Sequence, residues 1–113
     1  MGDRANVIVK EGTEKINLYT HWGGSELPNT VQRALARRQR WDDFSYLTRI
    51  IFCTMVPIDM WDDETGFGIS QHSPDGEDRT ITVDVGKQSV KITGQPAVTF
   101  DKYVKHGGAW LDD

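Results

Sequence analysis

Tyr19, His21 and Trp22 stand almost side by side in Leu18-Tyr19-Thr20-His21-Trp22-Gly23-Gly24. An imidazole can move protons near neutral pH, and aromatic rings can stack on a planar base. The glycine pair lets the backbone turn or approach a ligand closely. Arg4 and Asn6 near the start of the chain, and Arg40-Trp41 further on, add guanidinium and amide donors suited to phosphate. Arg4, Asn6, Tyr19, His21, Trp22, Arg40 and Trp41 are therefore the candidate ligand-binding residues. His21 with Asp42 or Asp43 would be the pair for acid–base chemistry. No Ser-His-Asp spacing supports a catalytic assignment, so none is made. His21, His72 and His106 are too dispersed for a zinc site, and Asp59, Asp62, Asp63 and Glu64 lack calcium-loop spacing, so neither a metal ligand nor a cofactor is assigned.

The elements that must position these side chains follow from periodicity. Val7-Ile8-Val9 reads as a first strand, Lys10 to Glu14 as a turn around Gly12, and Lys15 to Trp22 as a second strand pairing antiparallel with the first. That hairpin would carry Arg4 and Asn6 to Tyr19 and His21. Ser25 would cap a helix running to about Gln39, whose free N–H groups beside the strand end suit an anion. Leu27, Val31, Ala34 and Leu35 form its apolar stripe, and Arg37-Arg38-Gln39-Arg40 its wet end. Asp42 or Asp43 would cap a second helix reaching Met55, with Pro57 as a stop. Arg49 is the lone charge among its apolar residues, and Cys53 reads as a buried thiol.

Beyond the acidic loop Pro57–Thr65, strands are expected at Gly66–Ser70, Thr80–Val85 and Ser89–Thr93. Gln71 to Asp78 and Gly86-Lys87-Gln88 are their turns. Val98 to His106 leads into a last helical turn, and residues 106–113 read as a flexible tail. The order is ββααβββ plus a C-terminal helical turn. The expected class is α+β: one domain over residues 1–113, with an antiparallel sheet of about five strands and a helical pair on one face.

Length and composition narrow the function classes. At 113 residues one core can form without metal or disulfide, and the single cysteine rules out an internal bridge. A net charge of −4 argues against nucleic acid as the main partner. No apolar run approaches the roughly 20 residues of a membrane span, and no signal-peptide core is present, so a cytoplasmic location is expected. Four tryptophans and strands with few edge-protecting charges predict a homodimer or a higher even-numbered assembly.

The segments Gly2-Asp3-Arg4-Ala5-Asn6-Val7, Leu18 to Gly24 with Leu27-Pro28, Arg40-Trp41-Asp42-Asp43, Tyr46-Leu47, Arg49 to Phe52, Thr65 to Ser70 and Val83-Asp84-Val85 resemble a family of small proteins common in bacteriophage and prophage genomes. The resemblance spans about the first three-quarters of the chain and implies a setting rather than an activity. In that setting the protein would counter host defence from the host cytoplasm, more as a binder than as an enzyme. The leading expectation is sequestration of a nucleotide-derived immune signal. The alternatives are docking on a host defence protein, such as a CRISPR or other nuclease, through Trp61 and the acidic loop, and hydrolysis of a nucleotide.

Overall fold

The computed structural model describes residues 3–21, 23–56, 66–71 and 79–111. The class is α+β, as expected: the described residues form a six-stranded sheet with three α-helices. Strands β1 (Ala5–Glu11) and β2 (Glu14–Thr20) form the predicted hairpin, turning through Gly12 at φ +62°, a backbone state that glycine adopts freely. Register sets Ala5 against Thr20, Val7 against Leu18 and Val9 against Ile16 on one face. It sets Asn6 against Tyr19 and Ile8 against Asn17 on the other.

A short 3-10 turn, Gly24–Glu26, leads into α1 (Leu27–Ala36), and α2 (Phe44–Met55) packs beside it. Strands β3 (Phe67–Ser70), β4 (Thr80–Asp84), β5 (Ser89–Ile92) and β6 (Val98–Thr99) follow, with α3 (Phe100–His106) running directly out of β6.

The sheet order is β3-β2-β1-β4-β5-β6, and β4 lies parallel to β1. The sheet is therefore mixed and six-stranded, not antiparallel and five-stranded. β3 and β4 do not form a hairpin; β3 joins the outside of β2 and β4 the other side of β1. The physical reason lies in β1. Val7 and Val9 are completely buried, so apolar pairs must flank them on both sides: Leu18 and Ile16 from β2, Ile81 and Val83 from β4. Against this face pack Val31 and Leu35 of α1, Leu47 and Ile51 of α2, and Phe100 and Tyr103 of α3, all fully buried or nearly so. Each such side chain contributes roughly 1.5–3 kcal/mol by leaving water.

Four local expectations change. Ser25 does not cap α1, which starts two residues later with Pro28 in its first turn. α1 stops at Ala36 rather than Gln39, because Arg38 and Arg40 take left-handed φ of +52° and +60°. The Cys53 thiol is exposed, not buried. The C-terminal segment is not a frayed tail at Trp110, which is 4% exposed. Its indole Nε1 donates to the Gly24 carbonyl at 2.7 Å. Tyr103 Oη donates to the Pro28 carbonyl at 2.8 Å, and burial pushes its pKa well above the ordinary phenol value.

Candidate functional site

The start of β1 and the end of β2 do meet the approach to α1, and the meeting place is filled by the chain itself. Asp3 N–H donates to the His21 carbonyl at 2.6 Å, and the Asp3 carbonyl accepts from Gly24 N–H at 2.8 Å. The contact needs glycine, since a Cβ at position 24 would lie 2.6 Å from that carbonyl oxygen. The Asp3 carboxylate takes Ser25 N–H on Oδ2 at 2.8 Å and the Arg79 guanidinium on Oδ1 at 2.7 Å. Arg79 also lies 5.6 Å over the Trp110 ring. The backbone hydrogen bond from Ser25 chiefly, aided by Arg79, holds the Asp3 carboxyl below the usual carboxylate range. The donors that sequence reasoning offers to an anionic ligand thus hold an internal anion.

The alternation of β1 and β2 puts Asn6 and Tyr19 on the sheet face turned away from the helices. Asn6 is completely buried and its side-chain amide is engaged at both its nitrogen and its oxygen. It donates to Asn17 Oδ1 and accepts from Thr80 Oγ1 at 2.9 Å, while Asn17 reaches Ser70 Oγ at 3.4 Å. A polar ladder therefore crosses four strands, from β3 to β4. Tyr19 and His21 are brought together edge to face, with ring centres 5.8 Å apart. The Tyr19 ring occupies the space over Gly68, where a Cβ would fall 2.2 Å from the ring, so that glycine serves as a seat for the phenol. Arg4 is exposed at the head of β1. Trp22, like Trp61 and the acidic loop, lies outside the described residues.

Arg40 and Trp41 are not part of that group. They follow the other end of α1, whose ten residues span roughly 15 Å at 1.5 Å each. The same separation keeps His21 from Asp42 and Asp43, and Asp43 is occupied as the cap of α2, accepting Tyr46 N–H at 3.1 Å. Trp41 closes the end of α1: Nε1 donates to the Leu35 carbonyl at 3.1 Å, and the ring meets Phe100 edge-on at 5.3 Å. The Arg38 guanidinium lies 5.3 Å from the centre of the Trp41 ring and pairs with Asp101 at 2.9 Å. Arg38, with Lys105 at 3.1 Å, lowers the Asp101 pKa.

Arg40 is placed differently. Its guanidinium sits 4.6 Å from the centre of the Tyr46 ring, and Arg49 sits 5.4 Å from the same ring. Tyr46 is 46% exposed, and a shallow recess of about 270 Å³ runs along Ser45, Tyr46 and Arg49. Among the described residues, Arg33, Arg37, Arg40 and Arg49 pair with no carboxylate, unlike Arg38 and Arg79. Arg40 and Arg49 bring two such guanidinium groups to one ring in a chain of net charge −4. A phenol flanked by two guanidinium groups offers a stacking surface and phosphate donors together. Sequence reasoning reached Arg40 but missed Tyr46 and Arg49. The available signal was the spacing Tyr46–Arg49, which puts both on one side of α2.

Comparison with known protein families, curated proteins and solved structures finds no match to this chain.

Proposed function

We propose that this protein is a binding module that captures a nucleotide-like anion on the outer side of the α1–α2 pair and releases it intact. The observation that supports this is the exposed Tyr46 ring with the Arg40 and Arg49 guanidinium groups 4.6 and 5.4 Å from its centre, neither of them in an ion pair among the described residues. A planar base would stack on the phenol while phosphate oxygens take guanidinium hydrogen bonds. A nucleotide-derived immune signal suits this chemistry and the phage counter-defence setting. The proposal extends to assembly as a homodimer.

Calorimetry or thermal shift against cyclic dinucleotides and cyclic ADP-ribose compounds tests the reading, with mass spectrometry of whatever denaturation releases. At least one ligand should raise the melting temperature. Tyr46→Ala or Arg49→Ala should then weaken it roughly tenfold or more, the scale of a lost base–aromatic stack of about 1–3 kcal/mol. The absence of both a shift across the panel and a co-purifying small molecule would overturn it. Recovery of a cleaved nucleotide would favour hydrolysis instead.

The openness of the same face favours a second reading, docking on a host defence protein. Tyrosine and arginine are the residue types that dominate protein interfaces. A stoichiometric host protein captured by the wild type and lost with Tyr46→Ala would select it.

A further inference from the structure

A separate cleft of about 220 Å³ opens between α1 and the far end of α2, against the start of β3. Glu26, Thr30 and Arg33 line it from the α1 side, Thr54 and Met55 from α2, and Phe67 from β3. Its volume has room for several waters or one small organic molecule.

The charges in this cleft are set apart rather than paired. Glu26 and Arg33 are seven residues apart, hence on one side of the helix. They form no ion pair with each other, and neither has another partner of opposite charge among the described residues. Glu26 stands at the N-cap position of α1 but makes no side-chain capping bond, so its carboxylate is uncommitted. Arg33 reaches back one turn to Thr30 Oγ1 at 3.4 Å, which engages one of its five N–H donors. Its guanidinium then lies about one helical pitch, roughly 5 Å, from the level of Glu26.

The groups between them are acceptors. Thr30 and Thr54 donate their hydroxyl protons to the Glu26 and Ile50 carbonyls at 3.1 and 2.7 Å, leaving oxygen lone pairs for a ligand. Met55 and Phe67 add an apolar flank.

We infer that this cleft is a binding site for a small zwitterion, an amino acid whose ammonium and carboxylate are separated by one to a few carbons. The ammonium faces Glu26 and the threonine oxygens; the carboxylate takes the remaining guanidinium donors of Arg33. The residues are distinct from those around Tyr46, so this site stands or falls independently of the nucleotide reading.

The test is titration of the full chain by NMR or calorimetry with glycine, β-alanine and γ-aminobutyrate. Propionate and propylamine serve as single-charge controls. At least one zwitterion should bind more than tenfold tighter than either control. Glu26→Gln and Arg33→Gln should each weaken it at least tenfold without lowering the melting temperature of the free protein, since both side chains are exposed. Tyr46→Ala should leave it unchanged. Absence of binding by all three zwitterions at millimolar concentration, equal binding of a control, or unchanged affinity in both charge variants would overturn the inference.

Discussion

Asp3 sits where a bound anion was expected, and it illustrates how far a residue's role depends on partners remote in sequence. Its carboxylate joins Ser25, 22 residues on, and Arg79, 76 residues on. Local pattern shows the helix donors but not which group will reach them, which is why an anion site was legible and its occupant was not. The pH behaviour follows from the lowered pKa. At neutral pH Asp3 is ionised in both the folded and unfolded chain, and its contribution to stability is present in full. It is lost as pH falls below the ordinary value of 3.8 and through the lower folded value. Asp3→Asn should therefore cost about 1 kcal/mol at pH 7, discounted for partial solvent exposure, and reduce the loss of stability on acidification. Urea denaturation of both proteins at pH 7 and pH 3 measures the difference.

Elements with strong local signals were read well: the β1–β2 hairpin from its alternation, and α2 from Asp43 to Met55 from its cap and apolar stripe. α1 was read too long because four helix-compatible residues follow Ala36, and only the left-handed turns at Arg38 and Arg40 end it. Such turns cost roughly 1–2 kcal/mol each in a residue bearing a Cβ. Here Arg38 holds Asp101 and Arg40 holds Tyr46, contacts that no helical periodicity announces. Strand pairing was the least legible, because which strand lies beside β1 depends on matching buried pairs across long stretches of chain. The Ser70–Asn17–Asn6–Thr80 ladder is that matching in polar form: a one-residue slip would move the amides to the apolar face. Asn6→Ala should strand the buried Asn17 and Thr80 groups and cost about 1–3 kcal/mol. The denaturation midpoint should fall while the slope is retained.

For the molecule as a whole, the α+β class was legible from segregated strands and helices, but the sheet edges were misplaced. The strands Thr80–Val85 and Ser89–Thr93, whose few edge-protecting charges counted toward the expected assembly, are the interior β4 and β5, and the edges among the described residues are β3 and the two-residue β6. The tryptophan argument for an interface also narrows, since Trp41 and Trp110 are occupied inside the fold. The proposed homodimer therefore rests on β3, four residues without lysine or proline and with Ile69 57% exposed. Light scattering at micromolar concentration should give twice the 12.8 kDa chain mass, and Ile69→Lys should return the monomer. A wild-type species at 12.8 kDa would remove the dimer from the proposal.

The Gly24 turn has a consequence for chain connectivity. Asp3 and Trp110 both bond to Gly24, and Arg79 touches both, so the two ends of the fold converge on one turn. A short bridge between them would let the polypeptide be circularly permuted, with new termini opened in the exposed turn at Gly86-Lys87 between β4 and β5. In such a permutant β5, β6 and α3 would leave the ribosome before β1. The native contacts around Gly24 would then be made within one continuous stretch rather than between residues 86 apart, as Gly24 and Trp110 are.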